Sequence, residues 1–183
     1  MAVQTPENPE FQTRCPDFNL PSVTGGHYSL ADFQNNKPFV VMFICNHCPY
    51  VIAIEDRLIQ LGHDLKKIGI HVVAICSNDE KSYVEDSFIN LQKRALDKKY
   101  PFVYLHDQTQ GVAKKFKAVC TPDFFVYDEK SKLAYRGRLD DSWKDSTRVT
   151  KRELYQAVLE LSKGQSISKS QTPSMGCSIK WAL

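Results

Sequence analysis

Two cysteines three positions apart, in Cys45-Asn46-His47-Cys48, are the residues best placed to do covalent chemistry. Two intervening residues let the sulfurs close a small disulfide ring. The pair follows an apolar run, Phe39 to Ile44, and precedes Pro49 and a stretch where Val51, Ile54, Leu58, Leu61, Leu65 and Ile68 recur every three or four positions. That pattern is a strand followed by an amphipathic helix, which Gly69 stops. Cys45 then ends the strand and Cys48 opens the helix, where unpaired N–H groups and the dipole favour negative charge. The thiolate is the reactive form of cysteine, and such a position commonly lowers its pKa to about 3.5–7.5. A C-x-x-C at this junction reads as a dithiol redox motif. Cys45 is expected to attack and Cys48 to resolve. His47, lying between them, could stabilise the thiolate and make the disulfide a better oxidant, or be an exposed loop residue.

The elements that must hold this pair are legible around it. Ile70–Ile75, Phe102–Leu105 and Phe124–Tyr127 are further apolar runs without strict alternation. They suggest strands of a sheet covered on both faces. Leu133–Arg136 follows the last of them after five polar residues, short enough for an antiparallel hairpin. Between the strands, Val84, Phe88, Leu91 and Ala95 mark a helix that Ser77 and Glu80 could cap, and Gln110–Lys117 a short one. Leu154, Val158 and Leu161 mark another, with Thr150 and Glu153 as its capping box. Alternating strands and helices make an α/β fold, with a mixed central sheet flanked by helices. Residues 1–163 form the domain, including an N-terminal extension with a turn at Gly25-Gly26. Residues 164–183 form a polar linker and a tail in which Cys177, Ile179 and Trp181 alternate, and which should dock back on the domain.

Composition narrows the function classes. With 24 Lys and Arg against 21 Asp and Glu in 183 residues, the net charge of +3 is too mild to imply a nucleic-acid partner. The longest apolar run is far below the roughly 20 residues of a membrane span. The N-terminus carries Glu7 and Glu10 and no apolar leader core. A cytoplasmic protein without a cofactor is expected, and in a reducing compartment its six cysteines serve redox chemistry, metal binding or packing rather than a disulfide framework.

Four motifs in order, Cys45-Asn46-His47-Cys48-Pro49-Tyr50, Cys120-Thr121-Pro122-Asp123-Phe124-Phe125, Tyr135-Arg136-Gly137-Arg138-Leu139-Asp140-Asp141 and Gly176-Cys177-Ser178-Ile179-Lys180-Trp181, resemble the peroxiredoxin-like (redoxin) branch of the thioredoxin superfamily. These proteins are related to alkyl hydroperoxide reductase and thiol-specific antioxidant proteins. The resemblance implies a thioredoxin-like fold and a cis Pro122 beside the cysteine pair. It also implies a Thr121 whose backbone meets the incoming substrate. Pro122 stands 77 positions after Cys45, farther than in ordinary thioredoxins, which implies an inserted strand–helix unit.

The resemblance leaves two chemistries. Dithiol exchange acts on a protein or small-molecule disulfide and needs a thiol reductant. A thiol peroxidase acts on a hydroperoxide, with Cys48 attacking. The peroxidase motif P-x-x-x-T-x-x-C has Val41 and Cys45 where its Pro and Thr belong, and Arg136 or Arg138 would have to be its activating cation. Dithiol exchange lacks the usual buried acid, since Phe39 stands at that position; Asp123 is a substitute. Cys120 and Cys177 are possible additional redox thiols, with packing as the alternative reading of each. A reading of another class has Cys45, His47 and Cys48 hold zinc or copper(I), with Cys120 or Cys177.

Overall fold

The computed structural model describes residues 3–182. In chain order the elements are β1 (Val3–Gln4), β2 (Asn19–Pro21), β3 (His27–Ser29), β4 (Phe39–Phe43), α1 (Pro49–Lys67), β5 (His71–Cys76) and α2 (Phe88–Asp97). There follow β6 (Val103–His106), α3 (Gly111–Lys115), β7 (Cys120–Thr121), β8 (Asp123–Tyr127), β9 (Leu133–Gly137), α4 (Glu153–Ser162) and β10 (Gly176–Ser178).

The apolar runs form a five-stranded sheet in the order β6-β5-β4-β8-β9. β4 is parallel to β5, with Phe39 opposite His71 and Phe43 opposite Ile75, and antiparallel to β8. β8 and β9 form the expected antiparallel hairpin. The sheet is therefore mixed. Successive side chains point to opposite faces, and both faces are covered. Val40, Met42, Ala74 and Phe124 pack against Leu58 and Leu61 of α1, Leu91 of α2 and Leu154 and Val158 of α4. Phe39, Val41, Phe43 and Phe125 pack instead against Phe18 and Phe33 of the N-terminal segment and Phe116 after α3. Each large apolar side chain so buried contributes about 1.5–3 kcal/mol. Double coverage is why the runs show no alternation.

α1 begins with Pro at its first position and Cys48 as its N-cap. A proline costs little there, because its missing N–H would have had no intrahelical partner. Gly69, at φ 71°, ends it in the left-handed region where a side chain would be strained. The expected start of α2 shifts. Val84 is exposed in a 3-10 turn, and Ser77 is buried and donates to Asp107 Oδ2 at 2.9 Å, so it caps nothing. Glu80 does reach the helix, accepting the Phe88 N–H at 3.3 Å. The expected box before α4 is also absent. Thr150 is spent on Asp141, and Glu153 forms an ion pair with Arg138.

The N-terminal segment turns at Gly25-Gly26 between β2 and β3, which pair antiparallel. The tail is the third strand system. β10 lies between β1 and β7, antiparallel to both. Cys177 and Ile179 are buried, whereas Trp181, expected to dock with them, is 40% exposed under Lys114.

Candidate active site

β4 and β5 run parallel, so both end at one edge of the sheet. The loop 44–48 after β4 and the loop 77–87 after β5 meet there. Asp86, fully buried, joins them. Its Oδ1 accepts the Asn46 N–H at 2.7 Å, and its Oδ2 lies 2.6 Å from His47 Nδ1 and accepts from Asn78 Nδ2 at 2.7 Å. The His47 ring stacks on Tyr83 at 4.7 Å. Its hydrogen bond to Asp86 holds the imidazole pKa above the ordinary value, against the opposing effect of burial. A negative charge on Cys48 favours the imidazolium as well, so an imidazolium in turn favours that charge.

The two sulfurs lie in hydrogen-bond contact at the mouth of α1, both buried. The Cys45 thiol donates to Cys48, and that bond is the main reason the Cys48 pKa falls to about 4 despite burial. The Cys177 thiol on β10 works in the same direction, while the Val51 N–H is taken by the Cys48 carbonyl oxygen at 3.0 Å. Against these donors stands the Thr121 carbonyl oxygen, 3.1 Å from Cys48 Sγ, which favours a proton there. The Cys45 and Cys177 thiols outweigh that acceptor and favour the charge on Cys48.

Cys45 is the opposite case. Burial, its donation to Cys48 and the nearby Asp86 charge push its thiol well up, while Thr121 Oγ1 at 3.2 Å works weakly the other way. These contacts favour the thiolate on Cys48, whereas the sequence pattern has Cys45 attack. As expected, α1 begins directly after Cys48, which stands as its N-cap.

The Thr121–Pro122 peptide is cis. The expectation that the Thr121 backbone lies open to substrate is corrected, because Thr121 is already paired with Cys177 of β10. Beside Pro122 runs an apolar cleft of about 300 Å³ lined by Tyr50, Trp143, Leu139 and Met175. Cys120 is buried with its thiol on the Pro122 carbonyl oxygen at 3.6 Å rather than on the pair, and burial pushes its pKa far up. Cys177, by contrast, joins the pair.

Asp123 is no free proton acceptor. Its carboxylate takes Arg136 Nη2 at 2.8 Å and Ser174 Oγ at 2.8 Å. Arg136 is held there and on the Lys117 carbonyl, and Arg138 on Glu153, so neither is a free cation for a peroxide site. Among the described residues, the groups close enough together for a metal are Cys45, His47 and Asp86, within 4.8 Å, without Cys48. Both Asp86 oxygens already accept hydrogen bonds, so a metal would have to displace Asn46, His47 or Asn78.

Asp86, Tyr83 and Asn78 were not foreseen from the sequence. A usable signal existed: parallel neighbours end at one edge, so the polar segment Ser77-Asn78-Asp79-Glu80 had to lie beside Cys45.

The model of the AhpC/TSA family matches residues 11–136. An uncharacterized conserved protein from Geobacillus kaustophilus is 41% identical, with a TM-score of 0.94 over 100% of this chain and 97% of its own. A hypothetical protein from Sinorhizobium meliloti is 37% identical, with a TM-score of 0.92 over 97% and 98%. A secreted Mycobacterium tuberculosis disulfide oxidoreductase homologous to Escherichia coli DsbE is 19% identical, with a TM-score of 0.61 over 79% and 96%, which shows a shared thioredoxin-like fold. No curated protein matches the chain. Among the described residues, no helix is long and apolar enough to cross a membrane.

Proposed function

The chain belongs to the AhpC/TSA family of redoxins, and on that premise we propose that it is a thiol–disulfide oxidoreductase working through the Cys45–Cys48 dithiol. The observation that carries this reading is that Cys45 and Cys48 are buried together at the start of α1, each sulfur in contact with Thr121 beside the cis Pro122, with the Cys48 pKa lowered by the neighbouring Cys45 thiol. The Cys48 thiolate attacks one sulfur of a substrate disulfide. A Cys48–substrate disulfide forms, and the other substrate sulfur leaves as a thiolate and takes a proton. Cys45 then gives up its proton and attacks Cys48 Sγ. The second substrate thiol leaves, and a Cys45–Cys48 disulfide remains. An external dithiol or glutathione restores the pair by the reverse exchange.

The cleft beside Pro122 supports a polypeptide disulfide as substrate, since Tyr50 and Trp143 offer an apolar wall to a flanking side chain. Pro122 lines that cleft, and the adjoining Thr121 contacts both cysteine sulfurs from behind it. His47 and Asp86 position the loop and its charge. A reducing compartment such as the cytoplasm suits six free thiols.

The test is turnover of a protein disulfide with dithiothreitol as reductant, run beside turnover of a hydroperoxide. Cys48→Ser abolishes disulfide reduction, and the double variant Cys45→Ser with Cys177→Ser accumulates a mixed disulfide between Cys48 and substrate. Disulfide reduction that survives Cys48→Ser overturns the reading. Hydroperoxide turnover without disulfide turnover replaces it with the peroxidase.

A further inference from the structure

The tail strand β10 is fitted against the cysteine pair with little slack. Its neighbours are β1 on one side and β7 on the other, with Cys177 opposite both Val3 and Thr121. Gly176 lies so close to β7 that a Cβ there would stand 2.0 Å from the Thr121 carbonyl oxygen. Ser174 is tied to buried Asp123, Lys180 N–H to Asn78 Oδ1 at 2.8 Å, and the Lys180 carbonyl accepts from Asp79 N–H and Gln110 Nε2. Both ends of the strand are thus anchored, and one of its side chains is a thiol.

Cys177 is buried in one cluster with Cys45 and Cys48 and stands opposite Thr121, whose carbonyl oxygen is 3.1 Å from Cys48 Sγ and whose Oγ1 is 3.2 Å from Cys45 Sγ. Cys48 therefore has a thiol on either side, Cys45 from the loop before α1 and Cys177 from β10. We propose that Cys177 is a third redox thiol, which exchanges with Cys45 as the disulfide partner of Cys48. The inference rests on the dithiol reading above and extends it.

The exchange is an isomerisation and needs no outside oxidant. Starting from the Cys45–Cys48 disulfide, Cys177 loses its proton and its sulfur attacks Cys48 Sγ. The Cys45–Cys48 bond breaks, the Cys48–Cys177 bond forms, and Cys45 leaves as a thiolate that takes up a proton. One disulfide and one thiol stand on each side of the step. Lys180 favours the transient charge on Cys177. The product ties the tail covalently over the active site, so an external thiol must open it before Cys48 can meet a new substrate.

The experiment uses the full chain oxidised with diamide, then alkylated in denaturant and mapped by mass spectrometry. Wild type yields the Cys45–Cys48 bridge and, after equilibration in glutathione buffer, a Cys48–Cys177 bridge as well. Cys45→Ser yields an intramolecular Cys48–Cys177 bridge, and Gly176→Ala added to that variant lowers the bridge's equilibrium constant at least about tenfold by unseating the strand. Cys48 and Cys177 both fully alkylated in oxidised Cys45→Ser overturn the proposal, as does a bridge indifferent to Gly176→Ala. Wild type with a Cys45–Cys48 bridge in that case leaves the dithiol reading standing. Wild type without that bridge removes the dithiol reading, while the Cys45→Ser map still decides on Cys177.

Discussion

His47 Nδ1 lies 2.6 Å from Asp86 Oδ2, and through this contact a residue 39 positions downstream fixes the loop that carries the cysteine pair. Asp86 is wholly buried and also binds Asn46 and Asn78, so it joins the ends of two parallel strands. The arrangement has a definite pH consequence. The His47 pKa is raised on folding, so the folded state binds the proton more tightly than the unfolded chain does. The stabilisation is complete below the ordinary imidazole value of about 6.5 and is lost as pH rises through the raised value. Urea unfolding should show stability falling with pH in that window. Asp86→Asn should remove most of this slope and cost roughly 1–3 kcal/mol, because hydrogen-bond partners in the site are left imperfectly satisfied. An unchanged slope in Asp86→Asn would mean that His47 does not sense this carboxylate.

The charge on Cys48 is directly measurable. The ultraviolet absorbance of the thiolate should rise in a step near pH 4 in the reduced protein. The step disappears in Cys48→Ser. In Cys45→Ala the principal donor is gone, and the step should move upward toward the ordinary thiol value of about 8.5. A step retained in Cys48→Ser and lost in Cys45→Ser would return the thiolate to Cys45.

A thiolate stabilised in the reduced protein makes the disulfide easier to reduce. The Cys45–Cys48 couple is therefore expected to be less reducing than thioredoxin, whose potential is about −270 mV. Equilibration with glutathione buffers gives the value. A more negative potential would show that the donors around Cys48 act equally on its disulfide, and that the low pKa has no redox effect.

Much of the scaffold was legible because its signals are local. The runs from Phe39, Ile70 and Phe124 became β4, β5 and β8, since a strand buried on both faces must be apolar throughout. The stepping of Ile54, Leu58, Leu61 and Leu65 became the buried face of α1. The site was less legible because its electrostatics come from residues remote in sequence. Which cysteine holds the charge depends on the Cys177 thiol, remote in sequence and brought beside the pair by β10. The helix caps failed for a related reason. Ser77 and Thr150 have suitable side chains, but Asp107 and Asp141 claimed them first. Trp181 shows the limit of an argument from hydrophobicity alone. The strand ends at Ser178, so alternation no longer dictates where residue 181 points.

The Asp123–Arg136 pair tests whether the tail is held by a buried charge. Asp123 is fully buried and Arg136 nearly so, at 2.8 Å, with the guanidinium over the Phe125 ring. Burial pushes the Asp123 carboxyl pKa up even with Arg136 beside it, so desolvation outweighs the pair's attraction. Breaking such a pair from one side leaves an uncompensated charge, and Asp123→Ala should cost about 3–5 kcal/mol in urea unfolding. Replacing both partners with apolar residues, Asp123→Leu with Arg136→Met, should recover most of that loss. The double variant still lacks the acceptor for Ser174, which anchors the tail ahead of Gly176. It should therefore combine near-normal stability with faster alkylation of Cys48, because β10 leaves its place more often. A stable double variant whose Cys48 reacts no faster than wild type would show that the Asp123–Ser174 contact does not hold the strand down.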